Sequence, residues 1–166
     1  MSIRPKIEAA LATTAERLHP GSGHDAVHHA KNDLSTIEAS SENLSRRYAN
    51  EDVAIAAPAV FEAKHPDGDP VTIGKRHDGV IVVFSDSFIV VRRIGFGARE
   101  VKTFGKGAVS VERVTMVLDG ALAPGLRISE SSGKPMFAAA IALADDECDP
   151  NVQEAVRDEI YSLLAP

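Results

Sequence analysis

Residues 79–118 decide the fold, and they read GVIVVFSDSFIVVRRIGFGAREVKTFGKGAVSVERVTMVL. Apolar, β-branched runs are interrupted here by short breaks at 85–87, 95–97 and 105–107. Such runs, separated by glycine-rich turns, are typical of antiparallel strands that follow one another as a meander. The stretch therefore predicts a sheet of consecutive strands, to which the rest of the chain attaches.

Length and composition bound the class of protein. The 166 residues suffice for one domain with a helical extension. A hydrophobic content of 44% and a charged content of 25% are typical of a folded globular chain. The net charge of -6 argues against nucleic acid, and we expect none as a partner. Residues 71–118 are nevertheless basic, with eight Lys and Arg against four Asp and Glu.

Cysteine usage and hydropathy predict the compartment. Cys148 stands alone, so the fold does not depend on an internal disulfide. The sequence shows neither an apolar run of membrane-spanning length nor the basic and then apolar start of a signal peptide. We therefore expect a cytoplasmic protein.

Residues 1–50 predict a helical hairpin. Apolar residues recur at helical spacing over Ile3–Leu18, a Pro/Gly cluster follows at 19–23, and a second, longer helix runs from Ser22 to Tyr48. The apolar steps of three and four in the second helix resemble a coiled-coil seam. The predicted interaction seam comprises Val27, Leu34, Ile37, Leu44 and Tyr48. Either the hairpin packs on itself or on the β domain, or it serves as a docking or dimerisation arm that makes a homo-oligomer.

Residues 51–70 predict a linker or an edge strand, and residues 71–166 a β domain. Within 51–64 the sequence leaves helix and strand open, because Ala54–Ala57 suits a helix and Pro58 would break it. The last strand is predicted at Met136–Leu143. A final amphipathic helix begins at Pro150, with Asp149 placed as its N-cap.

Basic side chains at the ends of the meander strands are the candidate ligand-binding residues. Because strand ends meet at one edge of a meander, these side chains could converge near the turn at 95–97. Arg92 and Arg93 must point to opposite faces, so at most one of the two shares a pocket with the others. The alternative is a solvated set of charges. The candidates are Lys75, Arg76, Arg92, Arg93 and Arg99.

Catalytic and metal-binding patterns are weak. His24 and His28 are one helical turn apart, next to His29, but zinc needs a third and usually a fourth ligand and no Cys lies near in sequence. A solvated helix face explains these histidines, so we predict no metal and no cofactor. Acidic neighbours make Cys148 a poor nucleophile. We therefore expect a protein that is not an enzyme. An enzyme of unrecognised type stays open, and a deep pocket with convergent titratable groups would mark it.

Several segments together resemble the pleckstrin-homology (PH)-like domains of bacteria over about residues 71–164. The run from Gly79 to Val91 is similar to their strand, Ser/Thr-Asp, strand hairpin, and Val109–Val114 is similar to the strand that follows. The amphipathic helix predicted after the last strand is a further point of similarity to these domains. The resemblance implies an antiparallel PH-like β-barrel or sandwich of about seven strands, capped by the C-terminal helix. The N-terminal helical hairpin lies outside the family pattern, and with it we expect an α+β fold.

The resemblance implies a binding platform. The family's phosphoinositide signature ends in a Lys/Arg-x-Arg triplet, and Arg92–Ile94 lacks its second arginine. We therefore expect an adaptor that recognises a protein or peptide partner through the edge of the sheet or its loops. Two alternatives stay open: a peripheral membrane protein that binds anionic lipid through the basic strands, and a protein of helix-mediated assembly.

Overall fold

The computed structural model describes residues 2–40, 44–144 and 147–165 of the chain. The helices are α1 (Arg4–Leu18), α2 (Gly23–His29), α3 (Lys31–Glu38), α4 (Leu44–Arg47) and α5 (Pro150–Leu164). The strands are β1 (Ile55–Glu62), β2 (Val71–Thr72), β3 (His77–Val83), β4 (Ser87–Gly95), β5 (Ala98–Gly105), β6 (Val109–Leu118), β7 (Ala121–Glu130) and β8 (Pro135–Ile141). Among the described residues, no helix is both long enough and apolar enough to span a membrane.

The strands form one curled sheet in the order β2-β6-β7-β8-β1-β3-β4-β5. The predicted meander is present as β3, β4 and β5, but it is wrong for β6, which lies at the other end of the sheet between β2 and β7. Helix α5 follows the last strand, and the predicted PH-like α+β fold is confirmed. Asp149 caps α5 as expected, because its side chain accepts a hydrogen bond from the Asn151 N–H. The described sheet has eight strands where about seven were predicted, since β1 is also part of it. The two-residue β2 pairs with β6 in parallel, whereas the predicted sheet was antiparallel throughout.

Strand β1 lies inside the sheet, which corrects the prediction of a linker or edge strand over 51–70. It pairs antiparallel with β3 on one side and with β8 on the other. Pro58 is tolerated because the β1–β8 ladder begins one residue later, at Ala59 opposite Ile141. The alanines of β1 bring neighbouring layers close, and Ala56 and Ala57 are fully buried.

The predicted second helix is divided, and residues 41–43 of its predicted span lie outside the described residues. Helices α2 and α3 meet at Ala30, which ends one and begins the other. The residues of the predicted interaction seam pack mainly on the β domain, which is the packing alternative. Leu34, Ile37, Leu44 and Tyr48 are buried in a core shared with the outer face of β3 and β4, and Val27 is half-buried outside that core.

Each face of the sheet has its own core. The outer face of β3 and β4, with Val80, Val82 and Val91, packs against α1, α3 and α4. The inner face packs against α5, whose Val156, Ile160 and Leu164 are buried. The N-terminal helices are thus a layer of this fold, as the packing alternative expected. The predicted division into three segments stays a prediction.

The buried carboxylate of Glu62, at the end of β1, holds the loop that leads to β2 and β3. It accepts hydrogen bonds from the backbone N–H groups of Lys64 and His65 at 3.0 and 2.9 Å, and from that of Gly74 at 2.9 Å. Burial alone would raise the pKa of this carboxyl. The three donated hydrogen bonds, that of Gly74 first, outweigh burial and hold the pKa below its ordinary value.

Gly79 in β3 marks a close approach between two strands. A Cβ placed on this residue would overlap the carbonyl oxygen of Val91 in β4 and would lie 2.9 Å from the ring of Phe61. Both are parts of the packed sheet, and the backbone oxygen cannot swing aside as a flexible side chain does. The glycine is therefore required here for β3 and β4 to pair.

We predict that Glu62→Gln removes an acid-sensitive part of the stability. A carboxyl whose pKa is lowered in the folded state stabilises the fold above its unfolded-state pKa, and loses that contribution as the pH falls through its folded-state pKa. The wild-type free energy of unfolding should exceed that of the variant by about 1–2 kcal/mol at neutral pH. The difference should shrink as the pH falls below about 4.5. Denaturant titrations across pH measure it, with the exposed Glu130→Gln as a control.

We predict that Gly79→Ala lowers the free energy of unfolding by about 3 kcal/mol, because the added methyl group forces β3 and β4 apart. Gly107→Ala is the matched control, since a Cβ added to that residue would meet no other atom within 4 Å. That substitution should change stability by less than about 0.5 kcal/mol. Thermal and urea unfolding of the two variants give the comparison, and equal stability would contradict the close approach.

Candidate functional site

Two of the predicted binding residues, Arg93 and Arg99, meet at one buried carboxylate, that of Asp33 in α3. Arg93 donates to both oxygens, from Nε at 3.2 Å and from Nη2 at 2.9 Å, and Arg99 donates from Nε at 2.6 Å. The Asp33 side chain is fully buried. The two arginines lie directly opposite each other on β4 and β5, so Asp33 offsets a repulsive cross-strand pair.

Backbone carbonyls complete this cluster, which we call the Asp33 clamp (Asp33, Arg93 and Arg99). Arg93 also donates from Nη2 to the His29 carbonyl oxygen, and Arg99 from Nη1 to that of Gly97, both at 2.8 Å. Ionised, bidentate contacts of this kind are among the stronger hydrogen bonds of proteins. The clamp therefore ties the helical layer to the β4–β5 hairpin.

The other three candidates lie apart from the clamp. Arg76 contacts the carboxylates of Asp78 and Asp119 and the carbonyl oxygens of Leu143 and Ala144. Arg92 points to the opposite face from Arg93, as predicted, and donates to Glu100 at 3.2 Å. Lys75 is exposed. The structure thus divides the five residues into separate groups and does not assemble the single predicted ligand site.

Asp33 was absent from the sequence prediction although a signal for it exists. Ala30, Asp33, Leu34 and Ile37 share the buried stripe of the second helix, at the spacing of three and four that marks one face. A charged residue on an apolar stripe is buried only with partners. The same reasoning would have predicted that Asp33 pairs with arginines of the basic residues 71–118.

A cavity of about 270 Å³ lies between the helical layer and the outer face of the sheet. Its lining includes Asp25 and His29 of α2, Asp78 of β3 and Arg93 of β4. Asp78 is paired with Arg76, and Arg93 with Asp33, so both of these charges hold the fold together. Among the described residues, no group of three or more His, Cys, Asp or Glu side chains is arranged to hold a metal ion.

Strand β5 is an edge of the sheet. It pairs with β4 from Ser87 opposite Gly105 to Gly95 opposite Ala98, and no other described strand pairs with it. We call its outward side the β5 edge (Ala98–Gly105). The backbone N–H and C=O groups that point away from β4 on such a strand form a template for another strand.

The opposite end of the sheet is partly covered. There β2 pairs with Met116 and Val117 of β6, and the Ile73 N–H donates to the Val117 carbonyl oxygen. Further along β6, Arg157 of α5 donates to the Val114 carbonyl oxygen at 3.2 Å. The two ends of the sheet therefore differ in how much of their edge the protein itself uses.

Two shallow basins border the β5 edge beneath the helical layer. The α3 basin is lined by Asn32, Ser35, Thr36, Ala39, Ser40, Arg99 and Val101. The Tyr48 basin is lined by Arg47, Tyr48, Glu51, Asp86, Ser87, Thr103 and Gly105. Thr103 carries a buried hydroxyl oxygen with no hydrogen-bond partner among the described residues, and a buried polar atom of this kind costs free energy until it is paired.

The loop that leads into β5 exposes an apolar side chain. Phe96 is fully exposed, and its backbone adopts a left-handed φ of 52° between Gly95 and Gly97. Ile94, before it, is 41% exposed. Large exposed apolar groups next to a strand edge are typical of surfaces that contact a partner.

Comparison with known proteins gives little more. No family model and no curated protein matches the sequence. Among solved structures, the chain is similar to Vav1 inhibited by an allosteric inhibitor, with a TM-score of 0.47, 11% identity, and coverage of 86% of this chain and 36% of Vav1. It is also similar to the PDZ-RhoGEF DH/PH domains in complex with activated RhoA, with a TM-score of 0.44, 11% identity, and coverage of 97% and 39%.

Autoinhibited Vav1 is a third similar structure, with a TM-score of 0.45, 10% identity, and coverage of 86% of this chain and 26% of Vav1. The chain thus spans less than half the length of each of these structures. All three TM-scores are below 0.5, so these similarities support no conclusion about the fold or the function of this chain. The assignment of a PH-like α+β fold rests on the strand order and on the helix that follows the last strand.

We predict that Asp33→Asn lowers the free energy of unfolding by about 3 kcal/mol, because it leaves two arginines without their shared anion. Urea unfolding at neutral pH measures the effect. Asp52→Asn is the matched control, since the Asp52 side chain is fully exposed and lies 3.7 Å from Lys6. That control should leave stability nearly unchanged. Equal unfolding midpoints for the two variants would contradict the role given to the clamp.

Proposed function

We propose that this protein is a cytoplasmic, non-enzymatic adaptor that binds an extended segment of a partner protein along the β5 edge. The proposal includes kinship with the PH-like domains of bacteria. The observation that supports the binding role is the β5 edge itself, which pairs with β4 and with no other described strand. Helices pack on the inner face of the sheet and on the outer face of β3 and β4.

Backbone pairing provides the affinity in this proposal. A segment that lies beside β5 forms main-chain hydrogen bonds with the outward N–H and C=O groups, as an added strand does in other peptide-binding domains. Eight residues of β5 are available for such pairing. A strand of eight residues is within the usual range of strand lengths in globular proteins.

Side chains of the bound segment provide the specificity. Successive residues of a strand point to opposite faces, so every second side chain of the segment would enter the space beneath α3 and α4. The α3 basin receives one such side chain and the Tyr48 basin another. The buried hydroxyl group of Thr103 lies in the wall of the second basin.

Anionic lipid is the less favoured ligand. Four of the five candidate basic residues contact carboxylates of the same chain: Arg76, Arg92, Arg93 and Arg99. Pairing within the chain reduces the positive potential that would attract a negative membrane surface. The exposed Phe96 is instead placed to extend the contact with a protein segment beyond the start of β5.

The test uses peptides selected from a displayed random library against the full chain. We expect the peptides to slow amide hydrogen exchange along residues 98–105. Val101→Pro and Lys102→Pro are then compared. Because adjacent residues direct their N–H groups to opposite sides, one of these prolines removes only an outward donor and is tolerated on an edge. That folded variant should bind the peptides about tenfold more weakly.

Three outcomes would overturn the proposal. The first is a folded proline variant that binds the selected peptides as the wild type does. The second is peptide protection that maps to the 270 Å³ cavity rather than to β5. The third is sedimentation of the protein with phosphatidylglycerol vesicles at low salt together with no peptide binding, which would favour the lipid alternative.

A further inference from the structure

We infer that the segment which pairs with the β5 edge is the β5 strand of a second copy of this chain, antiparallel, with the two copies related by a two-fold axis at Val101. The inference rests on the proposed use of the β5 edge and names its partner. It places the dimer contact on the sheet rather than on the N-terminal helices.

Symmetry restricts the registers that such a pair can adopt. Two antiparallel strands of identical chains are related by a two-fold axis perpendicular to the sheet, which keeps each face on its own side. Side chains alternate between the faces, so an odd-numbered residue must lie opposite an odd-numbered residue. The axis therefore passes midway between two copies of the same residue, which lie opposite each other.

Two registers pair seven of the eight residues of β5, with Val101 or Lys102 at the axis, and an axis at Glu100 or Thr103 pairs five. An axis at Glu100 opposes two carboxylates, and an axis at Lys102 opposes two ammonium groups, each of which is unfavourable directly across a strand pair. An axis at Val101 opposes two valines. On either side of them, Glu100 of one copy then lies opposite Lys102 of the other, and the reverse.

The number of paired residues excludes the Glu100 and Thr103 registers, and charge complementarity then favours Val101 over Lys102. Lysine on an edge strand commonly prevents pairing, because it meets another charge of the same sign or is drawn into a dry interface. Here each lysine has a glutamate two residues away on the same face, and the Lys102 ammonium lies 3.7 Å from Glu100 within its own chain. In the Val101 register the lysine therefore gains a second carboxylate and opposes no cation.

The helical layer leaves room for the second copy. Helix α3 contacts both β4 and β5. The residues of 32–40 that line the α3 basin have short or small side chains, such as Ser35, Thr36 and Ala39. With the faces preserved by symmetry, the α3 helices of both copies lie on the same side of the joined sheet, and small side chains permit their close approach.

Engineered cysteines test the register directly in a Cys148→Ser background. Val101→Cys should form an intermolecular disulfide on mild oxidation, because directly opposed residues place their Cβ atoms within disulfide range. Thr103→Cys is the matched control on the same strand and face. In the Val101 register two copies of residue 103 are about 13 Å apart, beyond the reach of a disulfide.

A charge exchange provides a second test, measured by light scattering and sedimentation over a dilution series. Lys102→Glu and Glu100→Lys should each weaken self-association about tenfold or more, because like charges then oppose each other twice. An equimolar mixture of the two variants should restore the dimer, because each glutamate again meets a lysine. Circular dichroism verifies that both variants fold.

The outcomes separate this inference from the proposed function. Equal cross-linking at residues 101 and 103 would overturn the register. A wild-type chain that stays monomeric at the highest concentration measured, without cross-linking at residue 101, would overturn the dimer. If selected peptides still protect β5 in that monomer, the proposed edge binding stands and only the identity of the partner is wrong.

Discussion

The shared contact of Arg93 and Arg99 with Asp33 is the interaction on which the rest of this structure depends. It joins a helix that comes early in the chain to the β4–β5 hairpin at the edge of the sheet, with a sequence separation of 60 residues or more. One buried carboxylate balances two guanidinium groups, and the carbonyl oxygens of His29 and Gly97 accept further hydrogen bonds from these arginines. A buried charge network of this kind fixes one arrangement, because most of its members are costly to leave unpaired. The clamp therefore sets the position of β4 and β5, and with it the position of the β5 edge.

The layers above and below the sheet determine which surface is left for a partner. The N-terminal helices bury their apolar stripe against the outer face, and α5 buries its stripe against the inner face. A partner that used either stripe would have to displace a hydrophobic core, which is costly. Main-chain pairing at an edge requires no such displacement. The polar basins beside β5 then add selectivity without opening the fold.

The strands of residues 79–118 and the final helix could be predicted from the sequence, because β-branched apolar runs between glycine-rich turns and an Asp-Pro start are local signals. Strand β1 was harder to predict, since an alanine-rich run broken by Pro58 suits a helix end or a strand, and only pairing with both β3 and β8 decides it. The apolar spacing from Leu34 to Tyr48 was recognised, but spacing alone does not show which surface packs against those residues. The opposed faces of Arg92 and Arg93 followed from strand geometry. Their separate partners, Glu100 and Asp33, depended on contacts distant in sequence.

The central claim is that β5 presents an unpaired row of backbone groups, and amide hydrogen exchange of the wild-type chain tests it most directly. At a dilution where the measured mass is that of one chain, the amides of β5 should alternate, with protected groups that face β4 and rapidly exchanging groups that face outward. The amides of residues 79–83 of β3, which have a partner strand on each side, should be protected throughout. Uninterrupted protection from residue 98 to residue 105 in the single chain would show that the protein covers this edge itself, and it would contradict the account.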